Sequence, residues 1–276
     1  MSAANVEPTL FCLRVRYVKR GRLRYLAHLE LLRTMDRLVR RAGLPFAVSQ
    51  GFSPRMRLAF CPALPVGVAS DDEWLDLTLT ELVPATEALA RLQAVSCEDL
   101  MPQQAAYVDV RSPSLSANLT IARYEALVQL QDRALTLVEP PTDFAQRVQR
   151  ACDETVAAGQ IEYLRTGKPK VVQLAGKIVE APAARPVDPL AEPPGGALVS
   201  FVTRSSNEGA LRPDVLMGEV CRRLGAIPTA GGCGRGAEGS QGTRDVVSSG
   251  EQSTRVRIVR RAQYLEREDG TWVRPI

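Results

Sequence analysis

The chain has 276 residues, of which 45% are hydrophobic and 24% charged, and a formal net charge of +4. That length suffices for two compact domains with a core each, and the composition excludes disordered and fibrous classes. No run approaches the roughly 18–20 apolar residues that cross a bilayer. The N-terminal stretch has no basic start followed by an apolar segment, so the sequence predicts a cytoplasmic chain without membrane association.

The predicted elements alternate between two periods. Leu10 to Val18 reads as a strand, with Leu13, Val15 and Tyr17 alternating against Arg14 and Arg16. From His28 to Ala42 the period becomes helical: Leu31, Leu32, Met35, Leu38, Val39 and Ala42 share one face, and Gly43 and Pro45 stop the helix. Arg57 to Cys61 is a short strand. Glu73 to Thr80 is a longer one, with Leu75, Leu77 and Leu79 inward and Trp74, Asp76, Thr78 and Thr80 outward. The acids Asp71, Asp72 and Glu73 before it read as a solvated turn. A helix over 84–94 and a strand over 105–110 complete a β-α-β-β-α-β order, which is ferredoxin-like.

A second round follows. Leu119 to Leu130 is a strand, and Phe144, Val148, Ala151 and Cys152 mark a helix stripe. Ile161 to Leu164 and Val171 to Leu174 are extended, and a Pro- and Ala-rich connector spans 181–196. Ala197 to Thr203 is a strand, Pro213 opens a helix carrying Leu216, Val220, Cys221 and Leu224, and Arg255 to Leu265 is the last strand. The expectation is an α+β chain of two tandem ferredoxin-like halves, 10–112 and 117–267. A Gly/Ser-rich segment over 225–254 is expected to be a flexible, disordered insertion.

Charge is unevenly distributed. Between Arg14 and Arg57 stand twelve Arg and Lys residues against only Glu30 and Asp36, a local +10. Solvated faces usually mix signs, so this points to an anionic surface, with RNA favoured over an acidic protein partner or plain solvation. Arginine suits phosphate because its planar fork binds an oxyanion at two points. The candidate RNA-binding residues are Arg33, Arg37, Arg40, Arg41, Arg55 and Arg57. Arg255 and Arg257 form a second basic stripe near the end of the chain.

Catalytic signals are thin. The single histidine, His28, opens a helix with no partner set, so its candidate role as a general acid or base stands beside that of a packed turn residue. Gly51 and Pro54 in Gln50-Gly-Phe-Ser-Pro-Arg make a tight connection, read either as setting Arg55 and Arg57 against phosphates or as an ordinary loop. None of Cys12, Cys61, Cys97, Cys152, Cys221 and Cys233 forms a C-x-x-C pair, so the thiols read as reduced and mostly buried, with Cys233 exposed. Gly234-Arg-Gly-Ala-Glu-Gly matches a dinucleotide string but lacks the strand and helix around it. No metal or cofactor site is predicted.

The motifs Arg24-Tyr-Leu-Ala-His-Leu-Glu, Arg40-Arg-Ala-Gly-Leu-Pro, Ser49-Gln-Gly-Phe-Ser-Pro and Ala63-Leu-Pro-Val-Gly-Val-Ala-Ser, closing at Glu73-Trp-Leu-Asp, resemble the radical-SAM-linked (radical SAM-associated) protein family, a domain of unknown function. Weaker matches are Ala122-Arg-Tyr and Gly209-Ala-Leu-Arg-Pro-Asp. The motif residues are thus His28, Gly51, Phe52, Pro54, Arg212 and Pro213. Ala27 and Glu30 depart from the family's Ser-His-Leu-Asp, which leaves a Ser cap unfilled. Members stand beside or fused to a radical SAM protein, so the resemblance implies such a partner encoded nearby. The chain's own lack of C-x-x-x-C-x-x-C leaves any cluster to that partner. The expected function is a non-catalytic accessory protein binding structured RNA, tRNA or rRNA. The alternatives are an RNA-processing endoribonuclease using His28 and a protein-docking module without RNA.

Overall fold

The computed structural model describes residues 9–130, 141–187, 196–206, 209–228 and 252–276. The first elements are β1 (Phe11–Lys19), α1 (His28–Arg41), β2 (Leu58–Phe60), β3 (Ala69–Leu79), α2 (Ala85–Val95), β4 (Pro102–Val108) and a short α3 (Leu115–Asn118). Then come β5 (Leu119–Leu130), α4 (Pro141–Ala157), β6 (Gln160–Arg165), β7 (Lys168–Gln173), β8 (Ile178–Pro186) and β9 (Ala197–Ser206). The chain closes with β10 (Gly209–Ala210), α5 (Pro213–Arg223), β11 (Ala226–Pro228), β12 (Gln252–Glu266) and β13 (Trp272–Val273). The class is α+β. Two compact units emerge, one of residues 1–64, 70–120 and 263–276, the other of 65–69 and 121–262.

In the first unit β1 pairs antiparallel with both β3 and β4, and β2 pairs antiparallel with β3. Its core follows from the period of α1, whose Leu31, Met35, Leu38 and Val39 are buried against Leu13, Val15, Leu75, Leu77 and Leu79. Each such side chain contributes roughly 1.5–3 kcal/mol on burial. The helix stops where expected: Gly43 takes φ +62°, a left-handed value that glycine adopts without a Cβ clash. Its start is half capped. Ala27 offers no side-chain acceptor, but the Glu30 carboxylate accepts the Ala27 backbone N–H at 2.8 Å.

β3 corrects the sequence reading twice. Trp74, expected outward, is buried with Cys61, Leu115 and Leu119 in a second cluster on the opposite face of the strand. Asp72 and Glu73, expected in a solvated turn, lie inside the strand and are buried. Both errors have one cause: a strand covered on both faces loses the alternation that marks a solvent side. Cys12, Cys61, Cys152 and Cys221 are buried, while Cys97 is exposed.

In the second unit β9 pairs antiparallel with β5, β8 and β10. α4 packs on β8 and against α5, burying Phe144, Val148, Ala151 and Cys152 on one helix and Leu216, Val220 and Cys221 on the other. The segment read as a connector from 181 is instead strand β8 as far as Pro186. Prolines fit there because among the described strands β8 pairs with β9 alone, and its register shifts between Ile178 and Glu180 and between Glu180 and Ala183. The segment expected as a disordered insertion from 225 to 254 begins and ends in order. Ala226, Ile227 and Pro228 pair in parallel with Gln252, Ser253 and Thr254. Cys233 and the Gly234 string lie outside the described residues.

Candidate nucleic-acid interface

The α1 periodicity that buries Leu31, Met35, Leu38 and Val39 turns four arginines the other way. At 100° per residue, Arg33, Arg37, Arg40 and Arg41 fall within about a 100° arc, and all four are exposed. Arg40 is held: its guanidinium meets the Asp36 carboxylate at 2.8 and 3.2 Å and lies over the Phe46 ring, 4.7 Å from the centroid. The hydrogen bond it donates to the Asp36 carboxylate holds Arg40 more firmly protonated. Among the described residues Arg37 reaches only the Thr34 hydroxyl, at 3.3 Å. Arg33, Arg37 and Arg41 have no carboxylate partner among the described residues.

A hairpin follows the helix. Val48 bridges Met56, the Ser49 N–H donates to the Arg55 carbonyl at 2.8 Å, and the Arg57 N–H donates to the Ala47 carbonyl at 2.9 Å. Gly51, at φ +143°, bends its tip, and Phe52 and Pro54 stand exposed there. Arg55 and Arg57 are exposed on the returning strand, also without a carboxylate among the described residues. The six candidate arginines therefore occupy two neighbouring stretches of the first unit, one helical and one extended.

Four of the other six bases of the +10 segment are accounted for differently. Arg14 is buried and meets Asp76 with two parallel bonds of 2.8 and 2.9 Å, and it also donates to the Pro275 carbonyl at 3.3 Å. Arg20 pairs with Asp71 at 2.7 Å, and Arg16 lies 3.9 Å from Asp72. Lys19, buried, donates to the Leu26 carbonyl at 2.8 Å. Strand pairing thus brings the acids of β3 to the bases of β1, and the local charge is smaller than the linear count. These acids were missed as partners. The signal lay in the register: Arg14 sits directly opposite Asp76.

Asp72 is the centre of a buried polar network within this unit. Its carboxylate accepts from Arg274 Nη1 and Nη2 at 2.9 and 2.8 Å and from the Gln263 N–H at 2.6 Å. Gln263 Nε2 donates to the Asp72 carbonyl at 2.5 Å and approaches Cys61 Sγ at 3.5 Å. Arg274 also lies near the Trp74 and Tyr264 rings, at 6.0 and 5.4 Å.

His28 is exposed, and its ring meets Phe60 edge-on at 5.6 Å. It makes no side-chain hydrogen bond among the described residues. Arg212 stands at the N-cap position of α5 without a side-chain cap bond and pairs with Asp214 at 3.0 and 2.5 Å, with Pro213 as first residue of the helix. Burial pushes the Cys12 thiol up to about 11 and that of Cys152 up to about 12, and it raises Cys221 as well. Thiols held this way are poor nucleophiles. Among the described residues no group of three His, Cys, Asp or Glu side chains is placed to hold a metal. No described helix is long and apolar enough to cross a membrane. The arrangement favours binding an anion.

A family model described as "Uncharacterized protein conserved in bacteria (DUF2344)" matches residues 12–213. No curated protein matches. Two solved structures of DypB from Rhodococcus jostii RHA1, one a variant in complex with heme and one a second crystal form, align at 10% and 11% identity. They cover 79% and 80% of this chain and 84% and 85% of their own, each with a TM-score of 0.20, too low to carry an argument about fold or function.

Proposed function

This chain belongs to the family described as uncharacterized proteins conserved in bacteria, and from that premise we propose that it binds structured RNA, as a non-catalytic accessory of a radical SAM enzyme. The observation that carries the RNA reading is the exposed row of Arg33, Arg37 and Arg41 on α1, with no carboxylate to satisfy it among the described residues. Arg40, Arg55 and Arg57 extend the row. An unpaired arginine face binds phosphate through charge and fork geometry and reads little sequence. The partnership with a radical SAM enzyme is supported by the motif resemblance alone. The antiparallel pairing of β2, β3, β1 and β4 supports a ferredoxin-like first half, and we extend that plan to the second. A cytoplasmic setting suits cysteines that form no disulfide among the described residues.

The test is binding of total cellular tRNA and rRNA by the purified chain across a salt series, with cleavage followed in the same tubes. Affinity should fall steeply with salt, and R37E/R41E should weaken binding at least about tenfold, since two phosphate contacts become two repulsions. Unchanged affinity in that variant rejects the face. Scission abolished by His28→Ala would replace this reading with the endoribonuclease. A stable complex with the radical SAM protein, and no RNA binding at low salt, would leave the docking module.

A further inference from the structure

β6 and β7 form a ribbon of their own, pairing with each other and with no other described strand. Its root is fixed within the second unit: Ile161 and Leu174 are buried, and the Leu174 N–H donates to the Gly159 carbonyl at 2.9 Å. Beyond that root every residue from 164 to 171 is exposed. At ~3.4 Å per residue, Arg165 stands about 14 Å along the strand from Ile161. Thr166 and Gly167, at φ +51° and +74°, close the ribbon in the two-residue turn whose twist matches the strands.

Register sorts the side chains. Arg165 lies directly opposite Lys168 and Tyr163 opposite Lys170, so these four share one face. Glu162, Leu164, Pro169 and Val171 occupy the other. The first face holds three cations and no acid. None of the three has an ion pair among the described residues, and the half-buried Tyr163 ring sits among them. Like charges placed directly opposite each other on a ribbon are mutually unfavourable, and the arrangement becomes favourable when an anion bridges them.

We propose that this ribbon face is a second RNA contact, specific for unpaired nucleotides: Arg165, Lys168 and Lys170 hold successive phosphates, and the Tyr163 ring stacks on a base. The proposal rests on the RNA reading above and adds a substrate class to it. Single strands fit the face better than duplex, because the A-form major groove is too deep and narrow for side chains and paired bases present no free ring face.

The experiment compares a labelled oligouridine of about 20 nucleotides with an RNA duplex of about that length, by fluorescence anisotropy on the full chain between roughly 50 and 200 mM salt. The R165Q/K168Q/K170Q variant should bind oligouridine at least about tenfold more weakly at low salt. Its log-log salt slope should be shallower by about 2, from three contacts at ~0.7 each. Y163L, which keeps an apolar ring substitute at the root of the ribbon, should lose about fivefold on oligouridine and nothing on duplex. R33E/R37E/R41E serves as the control on α1. Oligouridine binding and slope that stay unchanged in the ribbon variant overturn the proposal. If the α1 variant loses affinity for the duplex in that case, the first reading stands alone; if its duplex affinity is also unchanged, both fall. Loss on oligouridine in the ribbon variant, with duplex affinity unchanged in the α1 variant, would uphold this contact and reject the helix.

Discussion

Asp72→Asn is the substitution with the largest expected effect. Asp72 is fully buried, and its two oxygens accept two bonds from Arg274 and one from the Gln263 N–H, with Arg16 at 3.9 Å. The amide replaces one acceptor by a donor, so an N–H₂ group faces either the guanidinium or the backbone N–H. Removing one partner of a buried charge pair costs about 3–5 kcal/mol. The Arg274 side chain is 38% exposed and can turn towards water, which places the expectation near the lower end, about 3 kcal/mol. At ~2–4 °C per kcal/mol for a chain of this class, the Tm should fall by roughly 6–12 °C. Thermal unfolding followed by tryptophan fluorescence is the assay. Both tryptophans, Trp74 and Trp272, belong to the same unit as Asp72, so the signal reports that unit directly. D72N/R274M, which removes both charges, should be less destabilised than the two single variants summed. A Tm change in D72N corresponding to under about 1 kcal/mol, or strict additivity in the double variant, would refute the reasoning.

Two further outcomes concern the second unit. Hydrogen bonds from Arg222, and then from Arg223, hold the Glu219 carboxyl below the ordinary glutamate range. A depressed carboxylate adds stability above its unfolded pKa and loses it as pH falls through the lower folded one. E219Q should therefore show a shallower acid loss of stability in urea melts taken between neutral and acid pH; identical acid limbs would count against the pairing. Thr166 places a β-branched residue at φ +51°, where a Cβ costs about 1–2 kcal/mol and asparagine fits better. T166N should slow hydrogen exchange of the β6–β7 amides about fivefold, and unchanged or faster exchange would contradict that.

How far the sequence disclosed this molecule depends on how local each determinant is. α1 was readable because its apolar stripe, its stop at Gly43 and its arginine face all lie within sixteen residues. The buried roles of Asp72 and Trp74 were not, because what covers them includes Arg274, Leu265 and Ile276, about two hundred residues away. β8 was hidden by its prolines, whose composition reads as a loop unless the strand is known to pair on one side. The arginine cluster was overcounted for a related reason. Linear charge cannot see that Arg14 and Arg20 meet Asp76 and Asp71 across a strand pair. The exposure of the six candidate arginines of α1 and the hairpin was legible because it follows directly from helix phase and turn chemistry. The basic face of the β6–β7 ribbon was not, since its three cations converge only once the register is fixed.

The bond between Asp72 and Arg274 spans 202 residues of chain. On a ribosome adding about 5–20 residues per second, the carboxylate is made roughly 10–40 s before its counter-ion exists. Throughout that interval the first strands can pair, yet the Asp72 carboxylate lacks Arg274 and must stay hydrated. The first unit is therefore completed only once residues 263–274 are translated, and nascent chains halted before Arg274 carry an open seam between β3 and the residues that seal it.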